Sequence, residues 1–262
     1  MQSRRLGRLR IPLSRLLRQS PGVGRLSRAI AHLVGPPTLH EIGLRSSLLT
    51  TSAEQAANAI LDDCVGYAQE YEHIQKRIVE QSANTHLRYP DYFAVEGATA
   101  YLLYMLVRHV RPSQTLEIGV GDGCSTQVIL SALDANDNGR LISIDITDDV
   151  GGAARGHPRW QLHVRSSGRS SSKDLEDLLA DIGPPDLFFH DALHTYHDQY
   201  ADYAVVVDHM RPGSLFASDD VDWSWAFLDI TTNLGIKPVV LVDRRKAVGA
   251  FLLPEEPPGR GP

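Results

Sequence analysis

TLEIGVGDGCST, residues 115–126, decides how this chain folds. An apolar run leads into Gly119, Gly121 and Gly123 and then into helix-compatible sequence, which reads as strand, tight loop and helix. Glycine adopts positive φ without penalty and lets a ligand approach the backbone, while the helix start behind it presents free N–H groups. Doubly wound α/β folds hold nucleotide-like cofactors in this way, at the carboxyl ends of their strands. Beyond the loop, RLISIDI (140–146), WQLHV (160–164), DLFFH (186–190) and SLFAS (214–218) alternate with polar, helix-compatible stretches. That alternation implies βαβ units and a parallel sheet. PVVLVD (238–243) and AVGAFLL (247–253) flank Arg244-Arg245-Lys246 and read as an antiparallel hairpin at one edge. Upstream, EGATAYLLYMLVRHV (96–110) is a helix stopped at Arg111-Pro112, and residues 52–82 carry the apolar spacing of one or two further helices. The expected fold is α/β, a doubly wound, Rossmann-like, seven-stranded and mostly parallel sheet with an antiparallel C-terminal hairpin, preceded by N-terminal helices.

Charge divides the chain unevenly. Residues 1–40 hold eight arginines and no acid, a charge of +8, whereas the whole chain of 262 residues carries −6. A basic arm therefore precedes a body of charge −14. An acidic body argues against a general nucleic-acid binder, although the arm could touch an acidic surface or act as an organelle-targeting segment. The run YLLYMLV at 101–107 falls far short of the roughly 18 apolar residues of a membrane span. Two cysteines, Cys64 and Cys124, exclude a disulfide scaffold and suit free thiols of a reducing, cytoplasmic setting.

The cofactor follows from what surrounds the loop. Asp145 ends the second strand, where an acid suits ribose hydroxyls. The dinucleotide fingerprint asks for Gly or Ala at the position of Cys124, and it usually opens its domain, whereas here about 110 residues come first. Glu117 beside the loop disfavours a phosphate and suits a cationic ligand. S-adenosylmethionine has a ribose, a sulfonium and an amino group, and no phosphate. An NAD-linked oxidoreductase on a similar sheet is the second enzymatic reading.

HDALHTYH (190–197) and ASDDVDW (217–223) follow strands that neighbour each other in such a sheet. Asp191, Asp219 and Asp220 should then meet above the carboxyl ends. Three close carboxylates repel, and one protonates unless a cation sits between them. Oxygen ligands without Cys suit Mg²⁺. Competing readings are a zinc site at His190, His194 and His197, and solvated or helix-capping roles for Asp219 and Asp220. Trp223, Trp225 and Tyr196 could wall a substrate pocket or pack in the core, and Asp222 reads as solvated.

With EIGVGDG as its first motif, Asp145 as the ribose acid and reversed terminal strands, the sequence over residues 85–254 resembles the class I S-adenosylmethionine-dependent methyltransferases. Within that class it is most similar to the cation-dependent O-methyltransferases of the catechol and caffeoyl-CoA type and related antibiotic-sugar tailoring enzymes. EGATAYLLYML before the loop supports this. The resemblance implies a cofactor held by Gly119, Gly121, Gly123 and Asp145, with Glu96, Glu117, Ser170 and Asp191 contributing. It implies a metal, Mg²⁺ or another divalent cation, on Asp191, Asp219 and Asp220. Asp220 stands where the catechol type has Asn, which makes the site more negative. His194 occupies the offset of the family's general-base lysine, and an imidazole is a competent base near neutrality. The implied substrate is a small hydroxylated molecule, a phenol or a sugar of a secondary metabolite, and a homo-oligomer is expected. The expected division is a basic, partly disordered arm (1–40), a helical cap (41–84), the methyltransferase domain (85–254) and a flexible tail (255–262). A non-catalytic cofactor-binding scaffold tethered by the arm is the non-enzymatic alternative.

Overall fold

The computed structural model describes residues 35–64, 66–83, 88–89, 94–165 and 171–254. The expected basic arm, apart from its last residues, the tail and Ser170 lie outside the described residues. The elements are α1 (Leu39–Arg45), β1 (Leu48–Thr50), α2 (Ala53–Ile60), α3 (Ala68–Ala83), α4 (Gly97–Val110), β2 (Gln114–Ile118), α5 (Cys124–Asn136), β3 (Arg140–Asp145) and β4 (Trp160–Val164). They continue as α6 (Ser171–Ile182), β5 (Leu187–His190), α7 (Tyr196–His209), β6 (Leu215–Ser218), α8 (Ala226–Asn233), β7 (Val239–Val242) and β8 (Ala247–Leu252).

The strands form one sheet in the order β1-β7-β8-β6-β5-β2-β3-β4, parallel except for β8, which runs against both β6 and β7. Among the described residues eight strands are present where seven were expected. The extra one, β1, comes from the segment read as a purely helical cap. It pairs parallel with β7, Leu48 opposite Val239. The hairpin is therefore not at the edge, because β1 covers the backbone groups that β7 would otherwise expose.

Side chains alternate across the strands and sort the core into two layers. Leu187, Phe189, Leu215 and Ala217 face one apolar layer built with α2, α3, α4 and α5. Leu116, Ile118, Phe188 and Phe216 face the other, with α1, α6, α7 and α8. There, Phe216 stacks on Phe251 at 4.7 Å and meets Phe188 edge-on at 4.9 Å. Helix starts are specified locally. Thr38 and Glu41 cap α1 reciprocally, and the Thr195 hydroxyl accepts from the Asp198 N–H at 3.3 Å, so that the cap of α7 directly follows His194. No helix among the described residues is long and apolar enough to cross a membrane.

Glu117 sits in the middle of this sheet with no exposed surface. Its carboxylate accepts the hydroxyls of Ser125 (2.6 Å), Thr126 (2.8 Å) and Ser143 (2.6 Å), which clamps α5 and β3 to β2. Burial raises its pKa to about 7, against the opposing pull of those three hydroxyls. An acid whose folded pKa exceeds its unfolded value stabilises the fold below the unfolded pKa and loses that contribution as pH rises through the folded one. Urea denaturation from pH 4.5 to 8 should therefore show stability falling across this window. Glu117→Gln should flatten that fall by roughly 3 kcal/mol. An unchanged slope would count against the assignment.

Candidate active site

Three loops meet at the carboxyl end of the parallel strands. The first, Gly119–Gly123, leaves β2. Gly119 has φ +92°, and a Cβ on it would run into the carbonyl oxygen of Asp191. Only glycine lets the two loops touch there. Gly121, at φ +53°, faces more open space, the nearest atom to a Cβ being Tyr89 Cδ2 at 3.9 Å. Gly123 precedes the first turn of α5. Asp145, half-buried at the end of β3, accepts the Val120 N–H at 2.9 Å and the Gly121 N–H at 3.4 Å through one oxygen, so it shapes the loop itself. Asp122 carries the loop outward by accepting the backbone N–H groups of Arg88 and Tyr89, both at 2.9 Å.

The second and third loops follow β5 and β6. Asp191 N–H donates to Ile118 at 2.8 Å and Asp219 N–H to His190 at 2.9 Å, so the strand ladder positions both residues. Of the three expected carboxylates, Asp191 and Asp220 converge, and the third group with them is His194 rather than Asp219. One donor atom from each of Asp191, His194 and Asp220 lies within 4.8 Å of the others. His194 Nε2 stands 3.1 Å from Asp220 Oδ2. Asp220 holds φ +52°, an uncommon conformation for a residue other than glycine. Asp219 is fully buried and faces Lys246, whose ammonium lies 2.7 Å from Asp219 Oδ2 and 3.7 Å from Asp220 Oδ2.

Burial and mutual repulsion dominate the electrostatics. The Asp191 carboxyl is held well above the usual range by burial first and then by Asp219. Asp220 is pushed up to about 7 by the same two causes in the same order. His194 is pushed down to about 4 by burial, with His190 and Lys246 adding, so its imidazole is neutral at neutral pH. Burial works against the Lys246 charge, but Asp219, Asp191 and Asp220 outweigh it and raise its pKa.

The other expected residues fall as follows. Glu96, at the start of α4, is buried and both its oxygens are taken by Arg245, from Nε at 2.6 Å and from the backbone N–H at 3.0 Å. Glu117 lies in the sheet with its three hydroxyls and not at the loop's open side. Asp222 is not simply solvated, because it accepts the Ala247 N–H at 3.0 Å and ties the third loop to β8. The three histidines do not assemble. His190 is buried against Tyr203 with Nε2 3.4 Å from Asp202, and His197 is exposed. Neither Asp219 nor Asp220 caps α8, whose cap position is Trp225. Trp225 and Tyr196 pack away from the cluster, bonded to Gly35 O at 2.8 Å and to Asp229 at 3.0 Å. Trp223 stays 61% exposed with its ring 5.8 Å from that of His194, and Leu193 beside it is 58% exposed. Sequence reasoning missed Lys246 and Asp243, which accepts the Thr99 N–H at 2.8 Å. The signal was present in the basic tripeptide 244–246, one strand away from Asp219.

A glycine loop at a strand's carboxyl end, an acid ending the next strand and a reversed last strand are arranged as in the class I methyltransferases that the sequence resembles, and residues 116–221 match a family model described as a methyltransferase domain. Over these residues the chain is similar to methyltransferases, which favours that reading over the dinucleotide one. Its relatives are O-methyltransferases. It is 26% identical over 177 residues to a caffeoyl-CoA O-methyltransferase from Stellaria longipes, spanning 65% of this chain and 70% of that one. Among solved structures, its fold matches an O-methyltransferase from Bacillus cereus in complex with SAH (16% identity, 80% of this chain and 99% of that chain, TM-score 0.50). It also matches TomG, an O-methyltransferase from Streptomyces achromogenes in complex with SAM (20% identity, 68% and 88%, TM-score 0.50).

Proposed function

We propose that this protein transfers the methyl group of S-adenosylmethionine to a hydroxyl of a small molecule, a phenol or a sugar of a secondary metabolite, with help from a divalent cation such as Mg²⁺. The convergence of Asp191, His194 and Asp220 directly behind the glycine loop carries this reading. The donor set fits a cation, because two carboxylates with raised pKa values lack sufficient positive charge of their own. Asp191 and Asp220 would hold the ion, and when bound it would supply the Lewis acidity that acidifies a substrate hydroxyl.

The chain's own groups do the rest. Asp220 Oδ2 lies 3.1 Å from His194 Nε2 and orients the ring, whose Nδ1 is buried and has no partner. The neutral imidazole takes the hydroxyl proton. Gly119, Gly121 and Asp145 would hold adenosylmethionine beside the cluster, and when bound it would supply the methyl group to the deprotonated hydroxyl and leave as adenosylhomocysteine, a reaction governed by positioning. Trp223 and Leu193, exposed at the rim, suit a substrate with an apolar or aromatic face. A cytoplasmic setting and a homo-oligomer complete the reading.

Thermal denaturation tests the cofactor. Adenosylmethionine at 100 times its Kd should add about 2.7 kcal/mol of stability, and NAD should add none. Incubating the protein, Mg²⁺ and methyl-labelled cofactor with a metabolite extract should give labelled methyl ethers by mass spectrometry, and EDTA should suppress them. Stabilisation by NAD alone would sink the proposal.

A further inference from the structure

We propose that Lys246 is a resident cation that takes Asp219 out of the metal-ligand set, so that a divalent ion is held by Asp191 and Asp220 and not by Asp219. The inference rests on the cation-assisted reading above and concerns which carboxylates remain free to serve it. Lys246 is the residue before β8, the reversed strand, so it enters at the ligand end of the sheet next to β6, which delivers Asp219. Its side chain is 6% exposed and that of Asp219 is fully buried, and they meet at 2.7 Å. A pair closed off from water in this way is not freely exchanged for solvent or for a soluble ion, since parting it leaves two uncompensated buried charges. Asp220 is on the far side of the ammonium at 3.7 Å and already engages His194 at 3.1 Å.

The position of Lys246 is itself over-determined. The neighbouring Arg245 is fastened to Glu96, Asp243 accepts the Thr99 N–H, and the Ala247 N–H is held by Asp222. The whole turn 243–247 is thereby fixed against α4 on one side and against the loop after β6 on the other. The ammonium arrives at the carboxylates on a rigid turn and not on a free arm. Three carboxylates and one lysine leave a charge of −2, which a single dication completes. Neutralising Lys246 would leave −3 and free a third carboxylate, and ligand charge is what tunes the affinity of such oxygen sites.

Titration of MgCl₂ into the full chain by calorimetry, with Asp219→Asn, Lys246→Met and the double variant, tests this. Asp219→Asn, which leaves −1, should bind Mg²⁺ about tenfold more weakly than the parent, and Lys246→Met, which leaves −3, about tenfold or more tightly. The double variant should return to the parent value. Should Lys246→Met fail to fold, the double variant, whose buried pair is neutral, decides alone by keeping the parent affinity. A tenfold loss in the double variant, whose charge equals the parent's, overturns the proposal while leaving cation assistance standing. Binding by Lys246→Met but not by the parent overturns the proposal, because the natural chain then holds no ion on Asp191 and Asp220, and removes cation assistance with it. No binding by any variant overturns both.

Discussion

Asp191→Ala is expected to lower methyl transfer by at least about 10³-fold and to leave the folded chain as stable as before, or more so. Three decades in rate correspond to about 4 kcal/mol at the transition state. A group placed between the glycine loop and the proposed cation site can supply that much, because its charge acts where water is excluded. The opposite sign for stability follows from burial. Asp191 is desolvated and repelled by Asp219 and Asp220, so removing its carboxyl relieves a cost of folding. Function and stability pull apart at such a residue. Labelled methyl transfer and the midpoint of thermal unfolding, measured on the same preparation, check both halves. Unchanged turnover with a lowered midpoint would show that Asp191 is structural.

Gly119→Ala is the second large effect, and it acts through sterics. The new Cβ meets the Asp191 carbonyl, which is backbone and cannot swing aside, and φ at this position is +92°. We expect a loss of about 3 kcal/mol or more in chemical denaturation, together with loss of adenosylmethionine binding. Gly121→Ala is the control. It has room for a methyl group, and a left-handed conformation costs an alanine only about 1 kcal/mol. It should fold, and it should bind the cofactor less well if the ligand approaches the backbone there. If the two variants behave alike, steric contact with the Asp191 loop is not what selects Gly119.

The parts of this molecule that sequence makes legible are those governed by short-range rules. The glycine spacing, the period-two strands and the polar stretches between them lead to the sheet and the loop, because each is set by local backbone preference. Asp191 and Asp220 are legible for the same reason, each following a strand that the topology makes a neighbour of the other. What stays hidden is pairing across distance. Leu48-Leu49-Thr50 is too short to announce a strand, and it becomes one only because β7 offers an edge. Glu117 sits beside the loop in sequence, yet strand alternation turns it into the sheet, where three hydroxyls are waiting. Asp219 and Asp220 are adjacent and chemically identical, and no local rule tells which one meets a lysine 26 or 27 residues later.

The reversed direction of β8 also bears on how the protein is made. A ribosome delivers about 5–20 residues per second from the N-terminus, and the parallel strands β2 to β6 are complete before the hairpin emerges. During that interval Asp219 has no countercharge, and the aromatic layer lacks Phe251, on which Phe216 stacks. The last strand is therefore a latch for the nascent chain, since it brings the buried charge and the missing apolar cover in one step. A chain cut between residues 221 and 238 would carry the glycine loop and all three aspartates, and still hold a buried acid without its partner.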